Sequence, residues 1–294
     1  MCYEGSYNEI QDKKLSKDQA ILIGILKKLG FYLKNKKTIY LINSEDDVNF
    51  LIFSLENEKI LGIDTEFDWR TTYFPILSLL QIATKDKIFL IDCLQCKNLK
   101  NLKNILEDQK RLIIFHSSRS DTTVLFTNLN VKVKNVYDIQ VAEKIIHGGD
   151  IKNYASIVKK YFNFSLNKSE TNSNWLKRPF SNDQMEYAAD DVNFLIEIYQ
   201  KQIKILQNLS LDQKAFQYSK KESSLGNQDL HVSRLKKLKN VSKLTKDIFL
   251  WREKQASKKD IPPSHIFKNN KLKDLTKEMS LTNLDERNLD KFFR

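Results

Sequence analysis

The sequence predicts an α/β domain followed by a smaller all-α module, and three observations carry that expectation. Between residues 38 and 137 short apolar runs alternate with helical patterns, as in a sheet covered by helices. Beyond Asp138 the apolar spacing is mostly helical. Only seven Gly and four Pro interrupt 294 residues, 41% of them hydrophobic, so long elements around a sizeable core are expected. The same composition excludes a wholly disordered chain and the collagen-like or Pro/Gly low-complexity classes.

Taken in order, residues 1–36 read as an extension holding one amphipathic helix that Ser16 would cap. Residues 39–42 read as a strand, Ser44 caps a helix reaching residue 55, and 60–67 form a second strand. Strands over 77–84 and 87–92 are joined by the short Lys85-Asp86 connection. A helix over 98–108, a buried strand over 111–115, a helix over 120–129 and a short strand over 135–137 complete the layer. One long helix is expected from residue 182 to 206. Residues 208–236 are polar, without sustained periodicity, and read as a linker with some helix. Helices over 242–258 and 272–279 follow, parted by Pro262-Pro263, which no helix interior tolerates. The resulting division is an extension (1–36), an α/β domain (37–207), a linker (208–236) and a helical module (237–294).

The net charge of +12 is unevenly placed. Residues 1–200 hold 27 Lys and Arg against 26 Asp and Glu, whereas residues 201–294 hold 22 against 11. A near-neutral body joined to a basic module suits contact with phosphates, and a merely solvated Lys-rich face is the alternative. Three Cys, at positions 2, 93 and 96, make no disulfide framework and point to a reducing, cytoplasmic compartment. The N-terminal apolar run over 20–26 is far short of the roughly 20 residues of a membrane span. Acids at Glu4, Glu9 and Asp12 precede it, so no secretory signal is expected.

Chemistry-bearing residues fall at three places. Asp64 and Glu66 sit at i and i+2 in an otherwise apolar strand, which puts both carboxylates on one side, roughly 6 to 7 Å apart. Such a pair is costly when buried unless cations neutralise it, although a solvated strand end would also explain it. Asp121 opens the helix after the 111–115 strand, where a helix-dipole interaction accounts for an acid as well. Tyr187 and Asp191, at i and i+4, share one helix face beside the small Ala188 and Ala189.

That order, strand Asp-x-Glu, junction Asp, then helical Tyr-x-x-x-Asp, resembles the DEDDy 3′-5′ exonucleases of ribonuclease H-like fold, and most closely the ribonuclease D family. Asp64-Thr-Glu-Phe67, Tyr73-Phe-Pro75, Leu79-Leu-Gln-Ile82, Tyr137-Asp-Ile-Gln140, Leu166-Asn-Lys-Ser-Glu170, Trp175-Leu-Lys-Arg-Pro179 and Glu186-Tyr-Ala-Ala-Asp-Asp-Val192 are similar to its segments in family order, covering residues 38–206. The resemblance implies a mixed five-stranded sheet flanked by helices. It also implies two divalent ions, Mg2+ or Mn2+, about 3.5 to 4 Å apart, for which four carboxylates are the fitting hard ligands. Asp64 would bridge both ions, Glu66 and Asp191 would hold the one nearer the attacking water, and Asp121 would hold the second through water. Tyr187 would orient that water, because a phenol with a pKa near about 10 is a poor base.

Lys168, Trp175 and Arg178, in the loop before the last acidic helix, are candidates for stacking and phosphate contacts to a frayed 3′ end or, equally, for fixing that loop to the sheet. Asp138 reads as a helix N-cap, Asp190 as solvent-facing, and His116 and His147 as structural. Cys93-x-x-Cys96 lacks a second ligand pair and reads as a turn. Leu250-Trp-Arg-Glu253, Ala256, Lys259-Asp-Ile-Pro-Pro263 and Leu272-Lys-Asp-Leu275 resemble the HRDC domain, with Ile248, Leu250, Trp251, Phe267, Leu272 and Leu275 as its core. The match is short for that module, and no second copy follows within the sequence. The resemblances together imply a 3′-5′ exoribonuclease acting as a monomer on single-stranded RNA 3′ ends, with transfer RNA precursors as substrate and no membrane partner. A DNA-directed exonuclease of the same fold and an inactive RNA-binding module are the alternatives.

Overall fold

Six apolar runs pair into one mixed sheet: β1 (Thr38–Ile42), β2 (Ile60–Asp68), β3 (Ile76–Ala83), β4 (Lys87–Asp92), β5 (Leu112–Phe115) and β6 (Val136–Asp138), in the order β1-β4-β3-β2-β5-β6. The computed structural model describes residues 37–281 and 289–292; the expected N-terminal helix with its Ser16 cap lies outside the described residues. β3 runs antiparallel to β2 and β4, and the remaining pairs are parallel. The six strands correct the implied five: Thr38–Ile42 pairs in parallel with β4 and extends the sheet by one strand.

Helices cover both faces, and the strand period of two sorts side chains between two cores. Ile88 and Leu90 enter one core, Phe89 and Ile91 the other. The second core is closed by α1 (Glu45–Leu55), α2 (Leu102–Leu106) and α3 (Arg119–Leu129). Covering the first are α4 (Ile139–His147), α5 (Tyr154–Phe162), α6 (Asn182–Asn193), α7 (Leu195–Asn208) and α8 (Asp212–Gly226). α6 and α7 replace the single expected helix, because the chain bends at Phe194, the residue between them.

The segment read as a linker is instead α8 followed by α9 (Leu230–Leu235). Ala215, Ser219, Ser223 and Gly226 form a buried stripe of small residues on α8. Without bulk, this face approaches closely enough for Ser219 Oγ to accept from Asp138 N–H at 2.9 Å and for Thr122 Oγ1 to donate to the Ser223 carbonyl at 3.1 Å. Hydrophobic periodicity misses such a face because it is built from small polar residues. A Cβ on Gly226 would stand 2.7 Å from Thr123 N and closer still to the Arg119 carbonyl and Thr122 Oγ1. The expected result for G226A is therefore destabilisation by about 3 kcal/mol, read by denaturant unfolding; a change within 0.5 kcal/mol, the ordinary surface value of about that size, would contradict the packing.

The C-terminal module comprises α10 (Lys243–Lys259), α11 (Leu272–Leu281) and α12 (Leu289–Phe292), with a 3-10 turn over Pro263–His265 that begins at the second of the paired prolines. Its core includes Ile248, Phe249, Phe267, Leu272 and Met279, against which Leu250, Trp251 and Leu275 pack half-buried. It docks on the loop leaving β2. Asp260 Oδ1 accepts from Tyr73 N–H at 3.0 Å and Phe74 N–H at 3.1 Å, and Tyr73 Oη donates to Glu253 at 3.1 Å. Glu253 also holds Arg234 and Arg252, so its buried carboxylate is paired. Among the described residues, no helix is long and apolar enough to cross a membrane.

Candidate active site

Gly62, Asp64 and Glu66 occupy alternate positions of β2 and so share the face covered by α6 and α7. At Gly62 the absent side chain lets α7 approach: a Cβ there would lie 3.0 Å from Leu195 Cβ. That close contact seats the α6–α7 pair over the strand, with Tyr187 and Asp191 on α6. α6 starts on a capping box in which Ser181 Oγ accepts from Gln184 N–H and Gln184 Oε1 from Ser181 N–H.

Asp121 arrives on α3 and is 5% exposed. Thr65, between the two β2 acids, donates from Oγ1 to Asp121 Oδ1 at 2.7 Å. The turn into α3 is held by Asp138, which accepts from Ser117 and Ser118 N–H at 3.0 and 2.7 Å. Asp138 also caps α4 as expected, accepting from Gln140 and Val141 N–H.

One oxygen from each of Asp64, Glu66 and Asp191 lies within 4.8 Å of the others. Asp121 stands beside this set, near enough for its charge to raise Asp64. Burial, then the charges of Asp121, Asp191 and Glu66, push the Asp64 carboxyl well above the ordinary range. Burial, then Asp191 and Asp121, raises Glu66 to about 9. Burial also raises Asp121 and Asp191 to about 7, against the hydrogen bonds each receives from Thr65 and Tyr187. No ion pair among the described residues reaches any of the four.

These residues fit divalent cations of the hard, oxygen-preferring kind. Crowded carboxylates without a cationic partner are costly unless positive charge joins them. Opposite Asp64 on β3, Gln81 is fully buried with neither amide atom bonded to protein, which leaves polar capacity beside the cluster.

The matched family model, described as 3′-5′ exonuclease, spans residues 39–207 and takes in every residue of this cluster. The chain belongs to that family. A second model, the HRDC domain, matches residues 242–289 of the exonuclease chain. The ribonuclease D of Desulfotalea psychrophila is 28% identical over 243 residues, which cover 78% of the exonuclease chain and 64% of that relative. The chain thus spans less than two thirds of its relative's length. The crystal structure of Escherichia coli RNase D, described as an exoribonuclease involved in structured RNA processing, is similar with a TM-score of 0.74 at 23% identity, covering 82% of this chain and 67% of that one. Brucella melitensis NrnC with bound Mg2+ shares the fold at a TM-score of 0.52 and 24% identity, covering 57% of this exonuclease chain and 85% of its own.

The five residues expected from the motifs converge in the exonuclease domain, while two of the three substrate candidates are engaged within the loop that carries them. Arg178 uses its guanidinium on the bulge and strand end beside it: Nε and Nη2 bond Asp92, the latter at 2.7 Å, Nη2 also reaches Ser78 O and Oγ, and Nη1 donates to the Trp175 carbonyl. Ser78 is free for this because β3 bulges where Glu66 pairs Leu79 and Phe67 pairs Leu77. Trp175, 5% exposed, stands with its ring 5.9 Å from that of Tyr187 and backs the phenol. Both residues fix the loop, and only Lys168 is exposed. Asp190, expected in solvent, is half-buried and raised to about 7 by burial and by Glu186.

Sequence reasoning passed over Thr65 and also Thr171, whose Oγ1 lies 3.4 Å from Tyr187 Oη. Thr65 stood inside the Asp-x-Glu motif and was legible there; Thr171 carried no local signal. The free thiols of Cys93 and Cys96 are both raised by burial, Cys96 to about 12, so neither is a ready thiolate.

Proposed function

We propose that this exonuclease hydrolyses RNA from the 3′ end with two divalent ions, Mg2+ or Mn2+. The observation that carries it is the set of Asp64, Glu66 and Asp191 oxygens within 4.8 Å of one another, with no ion pair to them among the described residues. Asp64 would be shared by both ions, Glu66 and Asp191 would serve one, and Asp121 the other through water. When bound, the ions would lend acidity to the attacking water and offset charge on the phosphate and the leaving 3′ oxygen.

The chain's own groups do the positioning. Burial and the neighbouring Asp191 push the Tyr187 phenol above its ordinary range, so it stays protonated and would orient the water by hydrogen bonding rather than act as a base. Trp175 and Thr171 hold that ring and hydroxyl in place. Exposed Lys168 would meet a substrate phosphate, and the basic C-terminal module would add sequence-independent, salt-sensitive affinity.

RNA rather than DNA is favoured by the ribonuclease D relatives, and single-stranded 3′ ends of transfer RNA precursors, met by a monomer in the cytoplasm, complete the reading. It divides the chain into a catalytic unit over 37–207 and an HRDC-like unit over 237–294, with α8 and the short α9 between them. Incubation of 3′- and 5′-labelled RNA and DNA strands, and of a transfer RNA with extra 3′ nucleotides, with each metal or with chelator tests it. The expected result is stepwise shortening of RNA from its 3′ end, halted by chelator. Equal rates on DNA would replace the RNA assignment, and absence of cleavage with either ion would leave an RNA-binding module.

A further inference from the structure

Asp191 stands three residues before the bend at Phe194. In an uninterrupted helix the Phe194 N–H would donate to the Asp190 carbonyl, closing the rung that flanks Asp191. It does not. Phe194 N–H donates to Tyr154 Oη at 3.2 Å as well as to the Val192 carbonyl, and Tyr154 Oη donates to the Asp190 carbonyl at 3.2 Å. A hydroxyl from the first residue of α5 is thus inserted into the helix ladder, a recognised cause of a sharp helix bend. The far end of α5 supports the same point, with the Phe162 ring 5.1 Å from that of Phe194.

The bend has a geometric consequence for the acids. α7 is fixed to β2 by the Leu195 contact at Gly62, two residues before Asp64. With α7 held, the direction of α6, and so the distance from Asp191 to Asp64 and Glu66, depends on the angle at Phe194. We propose that Tyr154 is a positioning residue that holds this rung open and thereby sets the Asp191 carboxylate against the β2 acids as a metal ligand. Burial, and then the charge of Asp191, keeps its phenol well above the usual range, so the hydroxyl is always able to bridge.

The inference rests on the metal-site reading above, and the experiment separates the two. Mn2+ binding to the full chain is measured by calorimetry, and RNA hydrolysis by steady-state kinetics at saturating metal, for the wild-type protein, Y154F and Y161F. Tyr161 lies on the same helix and donates to Glu143 at 3.0 Å, so Y161F removes a hydroxyl of the same kind away from the bend. The expected result is Mn2+ affinity weakened about tenfold and kcat lowered about tenfold in Y154F, with KM unchanged and Y161F like wild type. Wild-type affinity and kcat in Y154F, or equal losses in Y161F, would overturn the positioning role. Absence of Mn2+ binding by the wild type would overturn the metal site itself. Should Y154F not fold, Y154L is read by the same criteria.

Discussion

Asp64→Asn abolishes hydrolysis while making the metal-free protein more resistant to heat. The rate is expected to fall by at least about a thousandfold, equivalent to about 4 kcal/mol of lost transition-state stabilisation, because the shared ligand of both ions is gone. The opposite sign in stability follows from the same carboxylate. Asp64 is half-buried among Asp121, Asp191 and Glu66, and each of these charges disfavours its own. An amide of nearly the same shape removes that repulsion. Circular dichroism and RNA binding should be unchanged, and Mn2+ should no longer raise the melting temperature. Asp191→Asn is expected to behave alike. Undiminished hydrolysis in either variant would overturn the site, and a lower melting temperature in D64N would show that its charge is compensated in the folded protein.

Stability without metal should decrease as pH rises, and divalent ions should cancel that decrease. Folding raises these acids, Glu66 to about 9 and Asp121 and Asp191 to about 7, from ordinary values near 4. At neutral pH the folded chain therefore keeps protons that the unfolded chain has released. Their contribution is most favourable at low pH and is lost as pH rises through the folded values. His116 works in the opposite sense below its ordinary value of about 6.5, because burial lowers it, so the useful window is roughly pH 6.5 to 8.5. Calorimetric melting in chelator across this window should show a falling transition that is shallower in D64N, a difference in which groups outside the cluster cancel. Saturating Mn2+, which competes with those protons, should add about 2.7 kcal/mol at a hundred times its dissociation constant. A flat or rising profile in chelator would contradict the uncompensated cluster.

Much of the site was legible because its geometry is local. Strand period alone puts Asp64 and Glu66 on one side, and helical period alone puts Tyr187 over Asp191. Asp138 as an N-cap followed from the same kind of short-range rule. Where the partner is distant, the residue type did not decide. Arg178 reads equally as a phosphate contact or as a loop anchor, and Asp92 and Ser78, which engage its guanidinium, make it the anchor. α8 reads as a linker because its contact face is Ala215, Ser219, Ser223 and Gly226, chosen for closeness rather than for apolar area.

What the sequence by itself determined was therefore the set of acids, their local spacing and the α/β layer that carries them, since backbone periodicity and hydrophobic alternation act over a few residues. The tertiary structure decided how those pieces meet: a Gly62 that admits Leu195, a Thr65 hydroxyl that holds Asp121, and a Tyr154 hydroxyl that opens the helix beside Asp191. Such contacts join residues far apart in the chain, and only packing in three dimensions brings their atoms within hydrogen-bonding distance.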